Sequence, residues 1–186
     1  RVLAAKNVTD EQMLQAGLLK KPDDGRAPYS FFRDRVVFPI ADRSGRVVAF
    51  GARTLGDAQP KYINSPDTPL FDKGRTLYAF SLARVAASDK GEIVVCEGYM
   101  DVIALHQAGI VTAVAPLGTA LTESQLEMLW RAAEEPILCF DADAAGQRAA
   151  ARAALRALPL AGPGRSVRFA ELVSGKDPDD LIREKG

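Results

Sequence analysis

Four times in the second half of the chain, a short apolar run gives way to a break containing Gly, Pro or Asp and then to residues with helical spacing. The runs are Ile93 to Cys96, Val111 to Ala115, Ile137 to Phe140 and Val167 to Ala170. None alternates strictly between apolar and polar, which is the pattern of strands covered on both faces of a parallel sheet. Helix starts follow them. Thr122-Glu123-Ser124-Gln125 has capping-box order ahead of Leu126, Leu129 and Trp130, and Asp177-Pro178 offers an N-cap with proline at the first helical position. Serial βα units with right-handed crossovers bring the carboxyl ends of all four strands to one edge, where sites form in open α/β sheets.

The first half has a different rhythm. Residues 10 to 19, DEQMLQAGLL, predict a short helix, and Val36 to Arg53 predicts two strands about an Asp42-Arg43-Ser44-Gly45 turn. Gly56 to Lys73 holds three prolines and little periodicity, so an ordered irregular loop is expected there. A helix near Leu77 to Ala87 joins the halves. The expectation is an α/β chain: a smaller mixed α+β subdomain over residues 1–89, then a parallel sheet flanked by helices over 90–186.

Charge sharpens that division. The 24 basic and 24 acidic residues cancel overall. Residues 1–90 carry 15 Lys and Arg against 10 Asp and Glu, and residues 91–186 carry 9 against 14, so the halves stand at +5 and −5. A basic surface for a polyanion beside an acidic surface for cations fits this asymmetry, as does a solvated charge mosaic. The 186 residues, 47% of them hydrophobic, suffice for one domain or two small ones. No apolar run approaches the length that spans a bilayer, and RVLAAKNVTDEQML is too polar for a secretory signal, so a cytoplasmic protein is expected. Cys96 and Cys139 have neither zinc spacing nor a disulfide framework and are expected to be small buried hydrophobes. The one histidine, His106, lies in a helical pattern and is expected to pack rather than catalyse.

The candidate chemistry is carboxylate. Asp141 and Asp143 follow the run Ile137 to Phe140, and residues two apart in an extended segment point to the same side. The run Ile93 to Cys96 ends in Glu97, with Gly98 permitting a tight turn and Asp101 falling in the first turn of the next helix. The last unit ends in SGKDPDD, with Asp177 and Asp179 again two apart. Gathered at one sheet edge, these acids repel one another unless a cation neutralises them. Oxygen ligands without a histidine or thiolate cluster select Mg²⁺ or Mn²⁺ over zinc, and such ions usually bind phosphate as well. Simpler roles exist for single acids: Asp177 as a helix cap, Asp101 as a partner of the helix dipole. A strand ending in DxD also occurs in haloacid-dehalogenase-type phosphatases, but that reading gives Glu97 no task.

Glu97-Gly98-Tyr99-Met100-Asp101, one βα unit and then Asp141-Ala142-Asp143 resembles the Toprim domain of bacterial primases, topoisomerases and related nucleases. VVCEGYMDVIALHQAGI, APLGTALTESQ, CFDADAAGQRAA, RVVFPIADRSGRVVAFGAR and PKYINSPDTPLFDKGRTLYAF together are similar to the catalytic core of bacterial replicative DNA primases, from about Asp10 onward. The resemblance implies a Toprim-type parallel sheet after a basic subdomain. It implies a DNA-dependent RNA polymerase that makes short primers on single-stranded DNA from ribonucleoside triphosphates, using Mg²⁺ or Mn²⁺. Glu97, Asp141 and Asp143 match the principal metal-binding acids of that family, and Asp101, Asp177 and Asp179 the secondary ones. Arg53, Lys61, Tyr62, Asn64 and Lys73 match its surface for nucleotide phosphates and template, where Tyr62 can stack on a base or sugar. Gly98, Gly118 and Thr119 fall at turns that can present backbone amides and a hydroxyl to phosphate.

In the family the whole enzyme also carries a zinc-binding module and a domain that docks the replicative helicase, with single-strand binding protein as a further partner. Neither domain is matched by these residues. The chain reads as an excised piece with no zinc, expected to be weak or inactive as a polymerase alone. The alternatives are a Toprim nuclease or topoisomerase fragment and a non-catalytic Toprim scaffold for DNA repair.

Overall fold

The computed structural model describes residues 3–172 and 176–185. The chain forms two compact units, and the second takes in the turn Asp42–Gly45 and everything from Lys73 on. Expected strands, helices and caps recur in it, with four differences noted below.

In the first unit, helix α1 (Asp10–Gln15) is shorter than expected. Thr9 caps it: its hydroxyl accepts from the Gln12 amide while the Gln12 side chain accepts from the Thr9 amide. Gly17, at φ +68°, then turns the chain, and a Cβ there would lie 2.9 Å from a Pro66 ring carbon. Strands β1 (Leu19–Lys20) and β2 (Tyr29–Ser30) pair antiparallel; at two residues each, neither leaves a sequence signature. Strands β3 (Arg35–Ala41) and β4 (Val47–Thr54) form the expected hairpin. Its turn is closed by the Gly45 amide donating to the Asp42 carbonyl at 3.0 Å. The stretch expected to be irregular contains a third strand, β5 (Tyr62–Asn64), paired with β4. Three residues among prolines are too few to show alternation.

The second unit runs α2 (Phe80–Lys90), β6 (Val94–Val95), α3 (Tyr99–Gln107), β7 (Ala113–Val114), α4 (Glu123–Trp130), β8 (Ile137–Leu138), α5 (Ala144–Ala157), β9 (Arg168–Phe169) and α6 (Pro178–Lys185). The sheet order is β7-β6-β8-β9, parallel throughout. Regular pairing covers two residues per strand, and single bonds such as Cys96 N–H to Val114 O extend the ladder at either end. The period of two divides the core. Ile93, Val95, Leu138 and Phe140 face one side with residues of α2, α4 and α5; Val94, Cys96, Ile137 and Cys139 face the other with residues of α3 and α6.

The helix starts bear out the sequence. Thr122 and Gln125 exchange both capping-box bonds, and the Asp180 amide donates to Asp177 at 2.7 Å. Gln125 is fully buried because its amide also donates to the carbonyls of Lys73 and Thr76. His106 packs as expected, its Nε2 donating to the Ala113 carbonyl at 2.9 Å.

Candidate active site

Strands β6 and β8 are neighbours in space although 44 residues separate Glu97 from Asp141, because β7 lies on the far side of β6. Their carboxyl ends therefore meet. The Asp141 amide donates to the Glu97 carboxylate at 3.1 Å, tying the two strand ends together. One Asp141 carboxylate oxygen, Oδ1, is buried with no hydrogen-bond partner. Burial, then the charges of Glu97, Asp101, Asp177 and Asp143, push its pKa up to about 7.

Asp101 joins this group from α3. It is 7% exposed, and its carboxylate accepts from the amide of Gly98 at 3.1 Å and from that of Asp179. Burial first and the Asp177 charge second raise it to about 6, against the lowering effect of those amides. Asp141 thus lies within electrostatic reach of Glu97, Asp101, Asp143 and Asp177, and Asp101 within reach of Asp177 and Asp179.

Other candidates are placed differently. Asp143 lies within electrostatic reach of Asp141 and has a structural role as well. The chain has left the sheet, and Asp143 caps α5, accepting from the amides of Ala145 and Gly146 at 2.8 Å each. Asp179 makes a two-bond pair with Arg183 one turn along α6, both contacts at 2.9 Å. Gly98 is extended, at φ −143°, so no tight turn demands glycine there, and a Cβ would meet Asp101 at an ordinary 3.7 Å. Gly118 does adopt φ +73°, with Thr119 exposed beside it after β7. Ser174 and Gly175 of SGKDPDD lie outside the described residues.

Gly146 was missed by sequence reasoning. A Cβ on it would fall 2.0 Å from the Asp141 carbonyl oxygen, so α5 can start beneath the acid-bearing turn only with glycine there. A lone glycine at the head of an alanine run was the available signal.

In the first unit, Arg53 lies directly across from Tyr62, and Asn64 across from Gly51, so Arg53, Tyr62 and Asn64 share one face of the antiparallel sheet. The Lys61 ammonium sits 5.8 Å from the Tyr62 ring centre, and Arg35 holds this strand by donating to the carbonyls of Pro60 and Lys61. Lys73 opens the second unit, in a 3₁₀ turn over Lys73–Arg75.

Among the described residues no three Asp, Glu, His or Cys side chains are poised together as a metal cage. Mg²⁺ seldom uses such a cage; one or two carboxylates, water and substrate phosphates suffice. An orphaned buried Asp141 oxygen among mutually repelling acids fits that mode of binding.

Two family models match the chain: the DNA primase catalytic core N-terminal domain over residues 1–84, and the Toprim domain over residues 91–171. The chain belongs to the bacterial DNA primase family. It is 50% identical over 184 residues to a DNA primase of Pseudomonas aeruginosa, covering 99% of this chain and 28% of that protein. A crystal structure of a DNA primase domain from the same organism superposes with a TM-score of 0.93 at 49% identity, over 100% of this chain and 59% of that one. A DnaG primase catalytic domain bound to single-stranded DNA superposes with a TM-score of 0.88 at 46% identity, over 100% and 61%. The chain thus spans less than a third of the curated primase it matches. The parallel sheet carrying Glu97 and Asp141 is the Toprim fold, preceded by the smaller unit with antiparallel strands. Among the described residues no helix is long and apolar enough to cross a membrane.

Proposed function

We propose that the chain supplies the nucleotidyl-transfer site of a template-directed RNA polymerase that makes primers on single-stranded DNA. The observation that carries this is the Glu97–Asp141 link at the carboxyl ends of adjacent strands, with one Asp141 oxygen left unpartnered. Glu97, Asp141 and Asp143 would hold Mg²⁺ or Mn²⁺, with Asp177 and Asp179 as outer acids, and Asp101 fixing the mouth of the site through the Gly98 and Asp179 amides. When bound, such an ion lowers the pKa of an attacking hydroxyl and offsets charge on a departing pyrophosphate.

The chain's own part is to bind and orient. Arg53, Tyr62 and Asn64 on one sheet face, with Lys61 at the strand's start, suit a strand of nucleic acid contacted through phosphate and stacking rather than read by sequence. Lys73, Gly118 and Thr119 are the proposed contacts to nucleotide phosphates; the Gly98 amide is already engaged by Asp101. As functional modules, residues 1–89 and 90–186 lie close to the family-model limits of 1–84 and 91–171. The test is primer synthesis from ribonucleoside triphosphates by the full-length protein. Glu97→Gln and Asp141→Asn are each expected to lower it by roughly a hundredfold or more; wild-type rates in both contradict the proposal.

A further inference from the structure

A cavity of about 670 Å³ in the second unit is lined by Arg43, Arg84 and Arg131, by the hydroxyl-bearing Ser44 and Ser88, and by Phe80, Met128 and Ala132. None of these residues belongs to the acid cluster. Ser88 lies near the end of α2 and Arg131 caps the end of α4, the helices that feed the entry ends of β6 and β8, whereas Glu97 and Asp141 stand at the exit ends. Phe80, Arg84 and Ser88 are spaced four apart along one face of α2. The turn Asp42–Gly45, which belongs to this unit, brings Arg43 and Ser44 to the same cavity.

The charge there is poorly compensated. Among the described residues Arg43 and Arg84 have no ion pair, and the Arg131 pair is a 3.8 Å contact with Glu127 in which both side chains are more than half exposed. Such a contact is worth little. Three guanidinium forks about one space repel one another, and an anion with several oxygens removes that cost while giving each fork an acceptor. The serine hydroxyls add donors, and the volume falls in the range of small-ligand sites.

We propose that this cavity is a second phosphate-binding site, remote from the acids, for an oligophosphate: the polyphosphate tail of a free nucleotide or the backbone of a nucleic-acid strand. Arg84 and Arg131 hold the phosphates from two helices, and Arg43 closes over them from the turn.

Phenylglyoxal labelling of arginines, read by mass spectrometry in the presence of chelator, tests this with inorganic tripolyphosphate and oligothymidylate as separate probes. The expected result is a roughly fivefold fall in labelling of Arg43, Arg84 and Arg131 at several times the dissociation constant, with Arg148 and Arg152 on exposed positions of α5 unaffected. Protection by tripolyphosphate identifies free oligophosphate as a ligand; protection by oligothymidylate alone identifies a strand backbone. Arg84→Gln with Arg131→Gln, the one exposed on α2 and the other exposed at the C-cap of α4, is expected to weaken binding of the protecting probe about tenfold while leaving the circular dichroism unchanged. Equal labelling with and without both probes overturns the proposal, as does an affinity unchanged by the paired substitution.

Discussion

The Asp141 amide donates to the Glu97 carboxylate at 3.1 Å across two adjacent parallel strands. One acid is thereby positioned by the backbone of the other, while the Asp141 side chain keeps an unpartnered buried oxygen. The arrangement sacrifices stability for a poised charge, and its consequences can be measured.

In metal-free protein the Asp141 carboxyl titrates near 7 when folded, against an ordinary value of 3.8. A folded-state pKa raised in this way gives stability that is complete below the unfolded value and lost as pH climbs through about 7. Asp141→Asn is therefore expected to be more stable than wild type near pH 8, and not near pH 3. A gain of about 1–2 kcal/mol is expected, since solvent screens a half-exposed group. Urea titrations at the two pH values, in chelator, check the sign.

Asp143 holds a structural role that can be separated from any catalytic one. Asp143→Ala removes the cap of α5 and is expected to cost about 1 kcal/mol, whereas Asp143→Ser keeps an acceptor for the Ala145 and Gly146 amides and most of that stability. If the charge also serves the metal, primer synthesis falls in both variants. Equal activity of Asp143→Ser and wild type would confine Asp143 to capping.

Gly146→Ala places a methyl 2.0 Å from the Asp141 carbonyl oxygen. The helix start or the acid-bearing turn must shift, at a cost of about 2–3 kcal/mol. Thermal unfolding is expected to show this loss, together with weaker metal binding, although no ligand atom has been changed.

Much of this was legible in the sequence, and the gaps have physical causes. The apolar runs located β6 to β8 because strands covered on both faces need continuous apolar residues, whereas β9, at the sheet edge, has both Arg168 and Phe169 exposed. Thr122 and Asp177 are legible as caps because their side chains act on neighbouring amides, a local effect. Strands β1, β2 and β5 escaped because two or three residues show no period. The cap that Asp143 makes on α5 is less legible, because it depends on where the chain leaves the sheet after Phe140, which the spacing of the two acids does not mark. Gly146 is required by a backbone approach between α5 and Asp141, a long-range contact that composition alone does not display.

On the first unit, Arg53→Ala and Lys61→Ala are each expected to weaken binding of single-stranded DNA and to reduce the salt dependence of binding by about one charge. Tyr62→Ala is expected to cost about 1–3 kcal/mol if the ring stacks on a base, with Tyr62→Phe retaining most of the affinity. Fluorescence anisotropy across a range of salt concentrations separates the two effects.

The most direct test of the central claim is titration of Mn²⁺, followed by electron paramagnetic resonance, into wild-type chain and into Glu97→Gln/Asp141→Asn, with and without a ribonucleoside triphosphate. Binding that the nucleotide strengthens and the paired substitution abolishes is the predicted result. Equal binding by both proteins, or none by either, would contradict a metal site built from the ends of β6 and β8.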